Sequence, residues 1–84
     1  MIVRVLFFAS LRDITGTDEL ELAVAEPISI QTLLTRLDES LGAQAAEAVR
    51  GENVRIAVNQ SLVSGTVLIQ PGDEVAFLPP VTGG

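Results

Sequence analysis

The stretch I-S-I-Q-T-L-L-T-R-L-D-E-S-L-G occupies residues 28–42. Its apolar side chains Ile30, Leu33, Leu34, Leu37 and Leu41 fall at i, i+3, i+4, i+7 and i+11, one stripe along an α-helix. Ser29 is a suitable N-cap, because its hydroxyl can accept from a backbone N–H that the first helical turn leaves free. Ile28 and Leu33 occupy the flanking positions of a hydrophobic staple. Gly42 is a stop signal, since a residue without Cβ can take the backbone turn that ends a helix. The spacing therefore predicts one amphipathic helix with a single face to bury.

That face needs a sheet, and the flanking sequence supplies strands. Residues 2–9 are β-rich, with Val3, Val5, Phe7 and Ala9 toward one side and Arg4, Leu6 and Phe8 toward the other. Residues 10–16 are polar and turn the chain, with room for one helical turn. In residues 18–24, Leu20, Leu22 and Val24 alternate with Glu19, Glu21 and Ala23, the pattern of a half-buried strand paired with the first. Beyond the main helix, the alanine-rich residues 43–49 predict a short second helix ending near Gly51. Val54, Ile56 and Val58 alternate with Arg55, Ala57 and Asn59 as a further strand. Asn59-Gln60-Ser61 reads as a turn, and Leu62-Val63 as a short strand. Pro71-Gly72-Asp73 is turn chemistry, residues 74–78 form a last strand, and Pro79-Pro80 ends it because proline cannot donate to a ladder. If the first and last strands pair in parallel at the centre, the right-handed crossover rule accommodates this order. The expectation is an α+β domain of the β-grasp, or ubiquitin-like, type. It has a mixed sheet of four to five strands, one main helix packed on one face and a short second helix. Residues 1–80 form that domain, and residues 81–84 a flexible, extended C-terminal tail.

The composition narrows the chemistry. At 84 residues, 48% hydrophobic and 19% charged, the chain suits one folded domain rather than a disordered segment. No apolar run approaches the roughly 18 residues of a membrane span. Residues 5–9 are too short for a secretory core of about 7–15 residues. The expected location is the cytoplasm. There is no Cys, His, Tyr, Trp or Lys, and all five basic residues are arginines. Side-chain nucleophiles with a basic partner, thiolate metal sites and disulfides are thus excluded. The net charge of −6 disfavours nucleic acid and anionic membranes. It suits either a basic protein partner or simple solubility.

What remains is the C-terminus. Val81-Thr82-Gly83-Gly84 follows Pro79-Pro80, which favours a stiff, extended exit from the sheet. Four residues beyond Pro80 reach roughly 13 Å at about 3.3 Å each. Two glycines without Cβ atoms can thread a narrow channel and bring a carboxylate into another protein's active site. A tail without a role is the plain alternative. Such a carboxylate is a poor electrophile until adenylation gives it a good leaving group. A sulfur nucleophile can then leave a thiocarboxylate on Gly84, a route by which a cysteine-free protein could carry sulfur.

G-D-E-V-A-F-L-P-P-V-T-G-G (residues 72–84) closely resembles the ending of the small, sulfur-carrier subunits of molybdopterin synthase. V-R-V-L-F-F-A-S-L-R (residues 3–12) and A-V-N-Q-S-L-V-S (residues 57–64) resemble the same family, so the likeness spans the chain. The resemblance implies a β-grasp fold and a cycle run by partners. A ubiquitin-activating-type enzyme, consuming ATP, makes the Gly84 glycyl adenylate. Sulfur, ultimately from a cysteine desulfurase, converts it to a thiocarboxylate (thioglycine). The tail, comprising Pro79, Pro80, Val81, Thr82, Gly83 and Gly84, then enters the large catalytic subunit. There sulfur passes to cyclic pyranopterin monophosphate, building the dithiolene of molybdopterin for molybdenum cofactor biosynthesis. The family forms a heterotetramer of two small and two large subunits. In it, apolar residues matching Phe8, Leu62 and Leu78 dock on the large subunit, with Leu78 standing where an aromatic is frequent.

Strand alternation agrees with such a surface. A helix on one side only leaves Phe8, Leu78 and Leu62 exposed on the other, unless the alanine-rich segment or a loop covers them. Arg12 suits an acidic group on the adenylating enzyme or plain solvation. Asp73 and Glu74 suit a basic partner or a normal turn. Asp18, Glu19 and Glu21 suit a weak hard-cation site or, better, a solvated face, and no metal is assigned. No cofactor is expected to be bound by the chain itself. A sulfur carrier for another pathway, such as thiamine biosynthesis, shares the terminal chemistry. A ubiquitin-like binding module or modifier without thiolation is the remaining alternative. Without lysine, polymerisation through isopeptides is disfavoured.

Overall fold

Strand β1 (Ile2–Phe7) buries Val3, Val5 and Phe7 and turns Arg4 to solvent, the period-two pattern of a half-buried strand. It pairs antiparallel with β2 (Glu19–Ala23), and on its other edge parallel with β7 (Glu74–Leu78). β7 pairs antiparallel with β4 (Arg55–Val58), which pairs antiparallel with β5 (Ser61–Val63). In this computed structural model, which describes residues 1–64 and 66–80, the sheet order is β2-β1-β7-β4-β5. The first and last strands therefore do meet in parallel at the centre. The tail expected for residues 81–84 lies outside the described residues.

The main helix, α2 (Ile30–Leu41), starts where its cap dictates: Ser29 Oγ accepts from the Thr32 backbone N–H at 3.0 Å. It buries Ile30, Leu33 and Leu37, with Leu34 and Leu41 packed against the same cluster. Gly42, at φ 90°, ends it and donates its N–H to the Asp38 carbonyl at 3.0 Å. Beneath the helices lie Val3, Val5, Val75 and the stacked rings of Phe7 and Phe77, whose centroids are 5.9 Å apart. The stacked pair adds roughly 0.5–1.5 kcal/mol beyond its burial.

Three details depart from the sequence reading. First, β1 stops at Phe7. Ala9, expected on the core face, is exposed at φ 50°, and the amides of Leu11 and Arg12 donate back to the carbonyls of Phe8 and Ala9. Second, that turn opens a helix in its own right, α1 (Ser10–Thr15), anchored by the buried Leu11 and closed by Gly16. With α3 (Ala43–Val49), the described residues hold three helices rather than two. Third, Ile28 belongs to β3 (Ile28–Ser29), which pairs with β6 (Leu68–Ile69) as a separate two-stranded sheet.

The β4–β5 turn is strained. Its two central residues, Asn59 and Gln60, take φ of 50° and 71°, the left-handed geometry of a type I′ hairpin, which favours Asn-Gly. Asn59 compensates by tying the hairpin to the turn before β7. Its Nδ2 donates to Asp73 Oδ1 and its Oδ1 accepts from the Glu74 N–H, both at 3.0 Å. Asn59→Ala, which removes both bonds, is expected to cost about 1–2 kcal/mol. Gln60→Gly is expected to gain about 0.5 kcal/mol, because relief of the left-handed strain slightly exceeds glycine's extra unfolded freedom. Urea midpoints at unchanged slope measure both, and equal signs for the two variants would contradict this account of the turn.

Candidate functional site

The sheet has two faces of different character. The inner face carries the core. On the outer face, register aligns Leu6, Ala76, Ala57 and Leu62 in one row across four strands. Ala57 and Ala76 are only 7% and 8% exposed although no helix lies over them, because larger neighbours shield their methyl groups. Phe8 continues β1 by donating its N–H to the Phe77 carbonyl, which brings it alongside Leu78. Phe8 is 45% exposed, Leu62 is 64% exposed and Leu78 is half-buried. An alanine floor thus carries apolar rims at the end of the sheet where β7 leaves it.

The alanine-rich segment does not cover this surface. α3 packs against α1 and α2, and it buries Ala45, Ala46 and Val49 there. At the exit of β7, a groove of about 640 Å³ is lined by Arg55, Leu62, Leu78, Pro79 and Pro80, with Glu52 and Asn53 closing one side. A second groove, of about 360 Å³, lies on the helical side of Pro79 and Pro80, walled by Leu11, Ile14 and Val54. The chain therefore leaves the domain between two concavities.

Of the residues singled out from sequence, Leu62, Leu78, Pro79 and Pro80 converge on the first groove, and Phe8 lies beside Leu78. Arg12 stands apart, exposed on α1 and outside both groove linings. Val81, Thr82, Gly83 and Gly84 lie outside the described residues. Arg55, Glu52 and Asn53 were not anticipated. Arg55 reaches the groove only because it is the register partner of Leu78, which no local pattern reveals.

The other end of the outer face is charged. Arg4 lies in register between Glu21 and Glu74 and forms an ion pair with Glu19 at 2.8 Å. The Arg4 hydrogen bond, and then its charge, hold the Glu19 carboxyl below its ordinary value. Among the described residues, no group of three or more acidic side chains is placed to hold a metal ion. No helix there is long and apolar enough to cross a membrane.

A mixed sheet of order β2-β1-β7-β4-β5 with its main helix across one face is the architecture of a ubiquitin-like β-grasp protein, here with apolar side chains exposed beside the exit of the last strand. Residues 5–84 match the ThiS family, and the chain belongs to it. It is 42% identical over 85 residues to the molybdopterin synthase sulfur carrier subunit of Escherichia coli (strain K12), covering 98% of this chain and 99% of that one. The solution structure of the small archaeal modifier protein 1 from Methanosarcina acetivorans superposes with a TM-score of 0.74 at 28% identity, covering 99% and 96% of the two chains. A Helicobacter pylori structure described as a complex of subunits 1 and 2 of molybdopterin-converting factor gives a TM-score of 0.58 at 25% identity, covering all of both chains.

Two predictions follow from this geometry. Leu62→Asp, which alters an exposed side chain, should change stability by about 0.5 kcal/mol or less, and Phe8→Asp, which gives up a half-buried ring, by about 1–1.5 kcal/mol. Phe77→Ala, which empties the core, should cost about 3–5 kcal/mol. Thermal unfolding separates them, and a large loss for Leu62→Asp would place it in the core. The second concerns pH. Because the folded state depresses the Glu19 pKa, the stability from this pair is complete above the ordinary carboxylate range. It is lost as pH falls through that range and through the lower folded value. Glu19→Gln should flatten the acid side of a melting-temperature profile slightly at low salt and not at all at high salt, since the pair is exposed.

Proposed function

We propose that this chain is the sulfur-carrier subunit of a molybdopterin synthase, acting in the cytoplasm with Gly84 as its reactive terminus. The observation that carries the reading is the exposed apolar surface of Phe8, Leu62 and Leu78, placed where Pro79 and Pro80 lead the chain off the sheet. The near-full-length likeness to the Escherichia coli carrier supports the same reading.

The chemistry is assigned to the terminus because the side chains offer little else. The Gly84 carboxylate attacks the α-phosphorus of ATP on a ubiquitin-activating-type enzyme, forming the acyl adenylate and releasing pyrophosphate. A persulfide sulfur, supplied ultimately by a cysteine desulfurase, attacks the acyl carbon and AMP leaves; a thiol of a partner then cleaves the acyl disulfide, taking the other sulfur into a disulfide and leaving a thiocarboxylate on Gly84. In the large catalytic subunit the thiocarboxylate sulfur bonds to cyclic pyranopterin monophosphate, and water cleaves the acyl–sulfur bond, leaving the sulfur on the pterin and returning the Gly84 carboxylate for another round. Any proton transfer near neutral pH falls to groups of the partners, since this chain has no His, Cys, Lys or Tyr. The large subunit supplies the catalytic site, in a heterotetramer of two small and two large subunits. The Helicobacter pylori complex of two subunits supports a partner of this kind.

Pro79 and Pro80 stiffen the base of the arm, while Val81, Thr82 and the two glycines thread the channel. Phe8, Leu62 and Leu78 dock on the large subunit, and Arg12 is assigned to contacts with the adenylating enzyme. The likeness to an archaeal modifier protein favours, as a second reading, attachment of Gly84 to amines of other proteins.

Intact-mass measurement after incubation with ATP, the adenylating enzyme and a sulfur source tests the first reading. One sulfur should replace one oxygen at the C-terminus, and an unchanged mass would defeat the carrier proposal. Deleting Gly84 should abolish sulfur transfer, lowering the rate by several orders of magnitude while leaving the melting temperature unchanged. Transfer by the truncated protein would defeat the mechanism.

A further inference from the structure

Arg55 is an exposed cation at the base of the tail. Among the described residues, Arg4 pairs with Glu19, Arg50 with Asp38, and Arg36 donates to the Ala23 carbonyl. The Arg55 guanidinium has no such acceptor among those residues, although Glu52 lines the same groove. Arg12 shares this trait but lies outside the groove. Arg55 stands directly opposite Leu78 on the outer face, and in an antiparallel pair that puts the two Cβ atoms about 4.5–5.5 Å apart. Leu62, Pro79 and Pro80 complete the wall around it.

Any protein that covers Leu62 and Leu78 therefore also takes water from Arg55. Removing water from an unpaired guanidinium is unfavourable, and a planar fork of donors is best met by a carboxylate bound through both oxygens. We infer that the acceptor subunit presents an Asp or Glu side chain to Arg55, at the rim of the channel that receives the tail. The inference rests on the docking surface of the proposed function and adds to it a charged contact. In a chain of net charge −6, a local cation beside the tail also sets orientation, because a rotated approach would bring the partner's carboxylate against Glu19, Glu21 and Glu74.

The test is titration of the cognate large subunit with intact carrier at low and high NaCl, using Arg55→Gln, Arg55→Glu and Leu62→Asp. Circular dichroism confirms that each variant is folded. At low salt Arg55→Gln should weaken binding several-fold and Arg55→Glu roughly tenfold or more, with both deficits shrinking at high salt. Leu62→Asp should weaken binding strongly at either salt concentration. Should Leu62→Asp fail while both Arg55 variants bind like wild type, the docking surface stands and the carboxylate contact is overturned. Equal losses for Arg55→Gln at low and high salt would place a neutral acceptor opposite Arg55, which also overturns the inference. Full binding by Leu62→Asp would remove the docking surface itself, and the inference with it.

Discussion

The parallel pairing of β1 with β7 is the constraint on which the rest depends. It joins the first strand to the last, so residues from opposite ends of the sequence share one ladder and one core layer. Phe7 and Phe77 are register partners, and their rings stack inside that layer. Fixing those two fixes their neighbours. The next residue of β1, Phe8, comes alongside Leu78 on the opposite face, and both stand where the chain leaves the sheet toward Pro79. The core contact and the outer patch are thus two consequences of one register. A slip by a single residue would exchange them, burying Arg4 and exposing Phe7.

Much of the fold was legible because its signals are local. Ser29 caps α2 by accepting from an amide of the first turn, Ile30, Leu33 and Leu37 of the apolar stripe are buried, and Gly42 ends the helix. Alternation placed Val3, Val5, Leu22 and Val24 inward. What escaped was either short or non-local. α1 carries one buried apolar residue, too little for a periodic signal, and its only clear punctuation is Gly16. β3 and β6 are two residues each, so pairing Ile28 with Ile69 cannot be read from either segment. Ala9 was placed on the core face by extending the alternation past the point where a positive φ breaks the strand.

The candidate site divides in the same way. Phe8, Leu62 and Leu78 were identifiable because alternation assigns them a face and one-sided helix packing leaves that face open. Arg55 was not, although it belongs to an equally regular strand. Its importance comes from which strand lies next to β4, and that depends on topology. The shielding of Ala57 and Ala76 is likewise a collective effect, produced by neighbours on adjacent strands.

The two ends of the outer face are also chemically distinct, and the division follows the strands. At the start of β1 and β7, Arg4 sits among Glu19, Glu21 and Glu74, and its charge is answered within the chain. Two residues further along, Leu6 and Ala76 are apolar. At the end, Phe8, Leu78 and Arg55 surround the exit, and there the cation lacks a carboxylate among the described residues. A surface that is acidic at one end and, among the described residues, carries an unpaired cation at the other has a polarity that a partner can read. An apolar patch alone would permit docking in several rotations about its normal. A guanidinium without an acceptor among the described residues at one rim and an acidic band at the other discriminate among them, since the wrong rotations set like charges together or leave a charge without a partner. If Gly84 acts as proposed, only four residues past Pro80, orientation matters as much as affinity, because so short a span cannot make up for a domain docked the wrong way round.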